Sequence, residues 1–397
     1  MNQELLLHIK TLMPEMWDMA DKIFDHPELG FHEVYASELL CNWLKAHGWV
    51  VEKGAGGLST AFRSVWQSGE GGPSIGLLAE YDALPMGHAC GHHMQGPILL
   101  AVAQALRETV KVPCRIVYYG TPAEEGPQGK KIMLQNGCFH DIDIALMTHA
   151  APNTTVDIKS LAGAKFRAIF HGIAAHASLT PEKVRSALDA MVLTFQGVQF
   201  LHSHVKEDVK FFCSVNECSG TPNNTDSTVA SAVISLRTYE SEDIPELTQR
   251  LEAVVRGAAM MTGTTVEFEK LSDTVGKLPS LTLNRVIMEK AAELNAPQRL
   301  AYRTRTGSTD FAYVTQIVPA AVSRFAFVPE GTTSHSQAFL DAGKSEAAHQ
   351  GMMISADILA LTALDFIEKP ELLKEAQDEF RKRRTELNEK KAQAQEA

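Results

Sequence analysis

Residues 75–93, I-G-L-L-A-E-Y-D-A-L-P-M-G-H-A-C-G-H-H, place a cluster of reactive side chains directly after a strand-like apolar run. One cysteine and three histidines fall within residues 88–93. A cysteine among histidines occurs in thiol nucleophiles, structural zinc sites, redox switches and catalytic metal sites. The segment therefore predicts a chemically functional loop at the end of a buried strand, and the rest of the chain must decide among these chemistries.

Strands and helices alternate on both sides of this segment. Strand-like runs occur at 114–120 and 143–148, and the apolar spacing at 98–107 indicates a helix between the segment and the first of them. Polar groups follow these strands, because T-P-A-E-E-G begins at Thr121 and the other run ends at His149. Ligands of α/β proteins bind at this carboxyl edge of the sheet. The pattern predicts an α/β catalytic domain in which helices flank a mixed sheet.

The pattern changes near residue 160. Between 161 and 272 the periodicities indicate two helices and about four strands, which is the inventory of a small α+β sandwich. After this segment the first pattern resumes. We therefore predict a catalytic domain made of residues 1–160 and 273–397, the second part ending in a helix, with an inserted domain at 161–272.

The composition excludes several classes of partner. The chain has 397 residues and a net charge of −11, which argues against nucleic acid and anionic membranes. No apolar run approaches the ~20 residues of a membrane helix, and the N-terminus lacks a signal-peptide pattern. Six cysteines without paired spacing argue against a disulfide framework. These features predict a cytoplasmic protein.

Side chains with metal-ligand chemistry recur in the predicted loops and strand ends. Thiolate, imidazole and carboxylate together suit zinc or another first-row metal, and five such groups are enough for a two-metal site. These groups are Cys90, His92, Glu125, His149 and His335. Glu124 stands beside one of them, where a general base would be useful. Each motif alone also has an ordinary reading, because short Cys/His pairs are often structural and paired glutamates are often solvated.

The order of the motifs along the chain strengthens the functional interpretation. The motifs are H-P-E-L-G-F-H-E, A-E-Y-D-A-L-P, G-H-A-C-G-H-H, T-P-A-E-E-G, M-T-H-A, G-I-A-A-H-A-S, G-S-T-D, S-H-S-Q-A-F and A-A-H-Q-G-M. With these motifs in this order, the chain resembles the di-metal aminoacylase/carboxypeptidase family of amidohydrolases. The branch that it resembles holds auxin-conjugate hydrolases, aminobenzoyl-glutamate hydrolases and aminoacylase-like dipeptidases.

The resemblance implies roles for individual residues. It implies that Cys90 is a bridging metal ligand, that Glu124 is the catalytic base, and that the other four metal-type groups are the remaining ligands of two divalent ions, zinc or manganese. Asp82 would orient a ligand histidine by binding the ring nitrogen that does not face the metal. His176 would reach the active site of a neighbouring subunit and polarise the scissile carbonyl. The family also dimerises through its inserted lid domain, so the resemblance implies a homodimer or a larger homo-oligomer.

The chain departs from the branch where substrate would be recognised. His93 replaces a usual asparagine or aspartate. It would support the metal ligands from behind or contact substrate, or it is a tolerated polar exchange. Asn224 lies in a loop that has lost a usual proline. Arg303 and Arg305 precede G-S-T-D, and one of them would bind a substrate carboxylate through paired hydrogen bonds unless both are merely exposed. The substrate-binding candidates are Asn224, Arg305, Ser308 and Thr309.

The expected activity is metal-dependent cleavage of the amide bond of N-acyl or aminoacyl amino acids or small peptides. The sequence leaves three alternatives open. They are an aryl-amide hydrolase resembling those that cleave aminobenzoyl-glutamate, a metal-binding protein of the same fold without catalysis, and a thiol-dependent hydrolase or redox protein that uses Cys90. Metal content and inhibition by chelators or thiol reagents distinguish the last from the rest.

Overall fold

A computed structural model describes residues 2–176, 178–219 and 227–396. The chain forms two compact units, one of residues up to Lys159 with Lys277–Thr385, and one of Ser160–Gly276 with residues from Glu386 onward. The sequence assigned all residues after 272 to the first domain. The final residues instead group with the second unit, where Lys390 Nζ lies 3.9 Å from Glu242 Oε1.

The strands of both units are β1 Val50–Lys53, β2 Phe62–Ser68, β3 Ser74–Ala79, β4 Cys114–Gly120, β5 Ile144–Ala151, β6 Thr155–Val156, β7 Ala162–His171, β8 Lys210–Cys218, β9 Val229–Thr238, β10 Thr265–Thr274 and β11 Ala320–Ala326. The first unit is built on a seven-stranded mixed sheet in the order β1-β2-β4-β3-β5-β11-β6. Strands β4, β3, β5 and β11 are parallel to their neighbours within this group, and β1, β2 and β6 add antiparallel pairs at the edges. This sheet confirms the predicted α/β class.

Helices cover the sheet of the first unit. They are α1 Gln3–Phe24, α2 Val34–Ala46, α3 Gln95–Thr109, α4 Gly129–Gln135, α7 Leu281–Glu293, α8 Phe311–Val314, α9 Gln337–Asp341, α10 Glu346–Glu368 and the first part of α11 Pro370–Glu396; the second unit adds α5 Ala187–His202 and α6 Ile244–Thr262. Ser345 caps α10 by accepting a hydrogen bond from Ala348 N. Because every residue of β3 is buried, both faces of the sheet are covered, as expected for parallel strands.

Helix α10 corrects the expectation that no apolar run approaches the length of a membrane helix. Among the described residues it alone has the length and apolar composition of a membrane span. Most of the helix is buried, and it packs against α1, α3, α7 and β11. These contacts make it a core helix of the first unit, which explains its continuous apolar surface.

The second unit is a four-stranded antiparallel sheet in the order β10-β7-β9-β8, with α5 and α6 packed against it. Alternate residues of β7, including Phe166 and Phe170, are buried against these helices. Strand β8 is at one edge of the sheet and most of its residues are exposed. This is the α+β inventory that the sequence indicates for the inserted segment.

Candidate metal centre

Sheet order explains why distant motifs meet. The parallel strands β4, β3, β5 and β11 are adjacent, so their carboxyl ends lie at one edge. Cys90 and His92 lie in the segment after β3, Glu124 and Glu125 follow β4, and His149 lies near the carboxyl end of β5. Polar side chains at such an edge face a common crevice. The predicted groups therefore converge through the topology of the sheet.

Five predicted ligands form two groups that share one sulfur atom. The side chains of Cys90, His92 and His149 form one group, and those of Cys90, Glu125 and His335 form the other; within each group the donor atoms lie within 4.8 Å of one another. The Cys90 Sγ atom is 3.6 Å from His149 Nε2 and 3.3 Å from His335 Nε2. This arrangement provides one donor between two sets of ligands, as a pair of metal ions with a bridging ligand requires.

Two buried donor atoms support the fit of a metal. Within the described part of the chain, His92 Nε2 and Glu125 Oε1 have no hydrogen-bond partner. Glu80 Oε2 lies 3.3 Å from the first of these atoms, and His335 Nε2 lies 3.4 Å from the second, without hydrogen-bond geometry. Buried polar atoms are normally satisfied, so an orphaned imidazole nitrogen and an orphaned carboxylate oxygen among the predicted ligands indicate a cation site.

Asp82 lies behind the ligands, where the sequence predicts it. Its Oδ1 atom is 3.2 Å from His92 Nδ1, and its Oδ2 atom accepts a hydrogen bond of 2.8 Å from the backbone N–H of Glu125. A carboxylate on the far nitrogen of a ligand imidazole fixes the orientation of the ring. One side chain thereby positions a predicted ligand from each group.

The loop that carries the two glutamates is held in a strained conformation. Ala123 has a φ of 63°, a region that alanine rarely occupies. Its backbone N–H donates to Glu33 Oε1 at 2.8 Å, and Thr60 Oγ1 donates to the other oxygen of Glu33. A Cβ atom on Gly129 would lie 1.9 Å from the carbonyl oxygen of Pro122, so the close return of this loop needs glycine. Glu33 ends the H-P-E-L-G-F-H-E motif, but no local pattern indicates this buried role.

The adjacent glutamates lie in different electrostatic environments. Burial, and then the nearby Glu80 carboxylate, raise the pKa of Glu124. Burial would also raise the pKa of Glu125, but its contacts with His335 and His92 outweigh this effect and lower the pKa to about 2. Neighbouring carboxyls with opposed pKa shifts are typical of acid–base sites in which one carboxyl stays ionised and the other carries a proton.

A buried ammonium group that no sequence pattern indicates supports the site. Lys130 Nζ lies 2.5 Å from Glu80 Oε1 and 2.7 Å from Asp310 Oδ1, and all three side chains are at most 1% exposed. Asp310 also accepts a hydrogen bond from the backbone N–H of Lys130. Because 180 residues separate Lys130 from Asp310 along the chain, the pair leaves no local signal. The network fixes the carboxylate of Glu80 beside His92.

The predicted substrate-binding residues occupy different environments. Ser308 and Thr309 line a cavity of about 160 Å³ that the side chains of Cys90, Glu124 and His335 also line. Arg305 is exposed and does not line it, whereas Arg303 does. Asn224 lies outside the described residues.

The other two histidines with predicted roles are His93 in the first unit and His176 in the second. His93 is buried, its Nε2 is 2.9 Å from the carbonyl oxygen of Gly343, and its ring meets the edge of Phe24 at a centroid distance of 4.9 Å. Burial lowers the pKa of His93 to about 4. His176 belongs to the second unit and its side chain is exposed. Neither histidine is among the ligand groups formed by the described residues.

Comparison with known proteins adds an independent observation. A model of Peptidase family M20/M25/M40 matches residues 76–349. The chain is 28% identical to one of the chains of the p-aminobenzoyl-glutamate hydrolase of Escherichia coli (strain K12), over 91% of each sequence. It is 30% identical to the Xaa-Arg dipeptidase of Mus musculus, over 91% of this chain and 88% of the relative.

The fold is also found in solved structures. A dinuclear metal binding peptidase from the M20 family of Bacillus subtilis matches with a TM-score of 0.71 and 20% identity, covering 90% of this chain and 99% of that protein. The family match extends from β3 to α10 and so includes all the residues of both ligand groups. The chain therefore belongs to Peptidase family M20/M25/M40 and is a metal-dependent hydrolase of amide bonds.

Proposed function

We propose that this chain hydrolyses the amide bond of N-acyl or aminoacyl amino acids, or of small peptides, with two divalent metal ions held by the two ligand groups. The observation that carries the proposal is the position of Cys90 Sγ between the two groups. His92 and His149 would complete one metal site, and Glu125 and His335 the other. A thiolate, three imidazoles and a carboxylate form a donor set that suits zinc or manganese.

Glu124 is the proposed general base. Its carboxylate forms a cluster with His92 and Glu125, with donor atoms within 4.8 Å of one another, and it lines the same cavity as Cys90. When bound, a pair of divalent cations supplies Lewis-acid polarisation of the carbonyl and lowers the pKa of water. Glu124 would accept the proton of the attacking water and return it to the nitrogen of the leaving amine. The strained loop that is anchored by Glu33 holds the carboxylate in place for both transfers.

The proposed assembly is a homodimer formed through the second unit. Strand β8 is an exposed sheet edge, which can pair with the same edge of a second copy. Helix α5 carries exposed apolar side chains, among them Val192 at 47% and Phe200 at 67% exposure. In the dimer, His176 of the partner subunit would donate a hydrogen bond to the carbonyl oxygen of the substrate, as the family resemblance implies. The proposed location is the cytoplasm, whose reducing conditions suit a chain with six free cysteines.

The test combines metal content with a substrate panel. The purified protein should contain about two metal ions per protomer, and chelation should abolish the cleavage of N-acyl amino acids and dipeptides, which added metal restores. Activity that survives chelation but not alkylation of thiols would establish the thiol mechanism instead. Two bound metals without cleavage of any substrate would indicate a binding protein.

An aryl-amide activity is the second candidate. The relative that hydrolyses p-aminobenzoyl-glutamate is similar over 91% of this chain. Aminobenzoyl amides should therefore be included in the panel beside acetyl and aminoacyl amides of the same amino acid. The acyl group with the highest kcat/KM then distinguishes the two candidates.

A further inference from the structure

The segment between α1 and α2, which carries the H-P-E-L-G-F-H-E motif, lies against the two segments that follow β3 and β4. The carbonyl oxygen of Glu28 accepts a hydrogen bond of 2.7 Å from the backbone N–H of Ala83, in the segment after β3. A Cβ atom on Gly30 would lie 3.1 Å from both the Cα and the Cβ atom of Ala123, so the motif also packs closely on the loop after β4. The motif therefore touches both of the segments that carry the predicted catalytic groups.

Glu33, the last residue of the motif, is fully buried and binds the loop after β4 at a strained residue. Its Oε1 atom accepts a hydrogen bond of 2.8 Å from Ala123 N–H, and its Oε2 atom accepts one of 2.9 Å from the hydroxyl of Thr60. Thr60 is fixed in turn, because its carbonyl oxygen accepts a hydrogen bond of 2.6 Å from the hydroxyl of Tyr81. Alanine favours a negative φ, so the φ of 63° at Ala123 persists only while a partner holds its amide in this orientation.

Glu124 lies between two backbone amides that buried carboxylates hold. Glu33 binds the N–H of Ala123 on one side, and Asp82 Oδ2 binds the N–H of Glu125 at 2.8 Å on the other. Glu33 and Asp82 are 0% and 1% exposed, so water does not compete for either hydrogen bond. Because the backbone conformation restricts the rotamers of a side chain, these two anchors restrict where the carboxylate of Glu124 points.

The hydrogen bond to Ala123 does not depend on the charge of Glu33. Burial raises the pKa of Glu33 to about 7. The protonated carboxyl keeps one oxygen that accepts from Ala123 N–H, and its hydroxyl can donate to the oxygen of Thr60. Glutamine has the same shape and the same acceptor, whereas methionine has a similar volume and only a weak acceptor. Substitution by these two residues therefore separates the hydrogen bond from the packing of the side chain.

We propose that Glu33 is a positioning residue for catalysis, which holds Ala123 in the left-handed conformation and so aims the carboxylate of Glu124 into the cavity. The proposal rests on the proposed function, in which Glu124 is the general base. It gives the H-P-E-L-G-F-H-E motif a role in turnover, although no residue of the motif is among the described residues that line the cavity.

The decisive experiment compares Glu33→Gln with Glu33→Met in the metal-loaded enzyme. The glutamine variant should keep kcat within about 3-fold of the unaltered enzyme. The methionine variant should lower kcat by on the order of 10- to 100-fold and change KM by less than about 3-fold, because the base is displaced while the substrate contacts remain. Thr60→Val tests the same contact without removing the carboxyl, and should lower kcat by roughly 3-fold. Glu379→Met is the matched control: Glu379 also accepts from two backbone N–H groups, those of Leu281 and Thr282 in α7, so its loss should reduce stability and leave kcat unchanged.

The strain at Ala123 supplies a second test. Glycine adopts a positive φ readily, so Ala123→Gly alone should keep kcat within about 3-fold of the unaltered enzyme. In the Glu33→Met background the same change should raise kcat by about 3- to 10-fold, because glycine has no preference for leaving the left-handed conformation. Equal kcat values of the glutamine and methionine variants, or a methionine variant that Ala123→Gly does not improve, would overturn the proposal.

Hydrogen exchange without substrate separates this proposal from the proposed function. The backbone amides of residues 121–129 should exchange at least about 10-fold faster in Glu33→Met than in Glu33→Gln. If no amide substrate is cleaved but this difference is observed, the proposed function fails and the anchoring of the loop by Glu33 stands. If substrates are cleaved and the exchange rates of the two variants are equal, Glu33 does not hold the loop and the proposal is refuted.

Discussion

Replacing Lys130 by methionine should be among the most destabilising single changes in the first unit. The substitution preserves most of the side-chain volume and removes the ammonium group that lies 2.5 Å from Glu80 and 2.7 Å from Asp310. Two carboxylates would then remain buried without their cation. Removing one partner of a buried ion pair costs about 3–5 kcal/mol.

A second estimate gives a similar magnitude. If one of the two carboxyls takes up a proton to relieve the repulsion, protonating a group with an ordinary pKa near 4 at pH 7 costs roughly 4 kcal/mol. The unfolded chain does not bear this cost, so it appears as a loss in the free energy of unfolding. Both values describe the cost of leaving the two buried carboxyls without their cation, so the expected loss is one of them and not their sum.

The assay is urea denaturation followed by tryptophan fluorescence. The four tryptophans, Trp17, Trp43, Trp49 and Trp66, all belong to the first unit, so the signal reports the unfolding of that unit. Lys131→Met at the adjacent, half-buried lysine is the matched control and should cost less than about 1 kcal/mol. Lys130→Met combined with Asp310→Asn should recover part of the loss, since only one unpaired carboxylate then remains.

Similar, small losses of stability in the two lysine variants would contradict the role assigned to the ammonium group of Lys130. They would mean that solvent or rearrangement compensates the carboxylates of Glu80 and Asp310. A large loss that Asp310→Asn does not reduce would show that packing of the lysine stem, rather than its charge, stabilises the site.

Three further changes test other parts of the structure. Glu124→Gln should lower kcat by roughly 10²–10⁴-fold while the metal content stays at the wild-type value, and loss of metal would assign the residue to the ligands instead. Coexpression of Glu124→Gln with His176→Ala, each inactive alone, should restore up to about a quarter of the activity of a C2 dimer, because one site of each mixed dimer keeps both groups; no restoration would place His176 in the site of its own protomer. Asp357 has a buried carboxyl oxygen that finds no hydrogen-bond partner among the described residues, and burial raises the pKa of this group to about 7. Folding therefore favours the protonated form, and stability is lost as pH rises from the unfolded pKa near 4 through 7. Asp357→Asn should therefore raise stability by about 2–4 kcal/mol at pH 8 and change it little at pH 4, and a pH-independent effect in denaturation curves would contradict this cause.

The family, the α/β class and the candidate ligands follow from the sequence because their signals are local. A buried strand such as β3 appears as a short apolar run, and the groups that follow it in the chain lie at its carboxyl end. Cys90 and His92 therefore mark the site by their position after this strand. The inserted unit is equally evident from the change in periodicity near residue 160.

The way in which these local pieces combine depends on contacts that exist only in the folded chain. Ion pairs such as Lys130 with Asp310, 180 residues apart, and Asp157 with Lys277, 120 residues apart, carry no periodic or spacing signal. In the sequence each of these residues is an ordinary polar side chain. Only the packing that buries them makes their charges costly and requires partners. Strand order likewise put Arg324 beside His149, and so decided which arginines face the cavity.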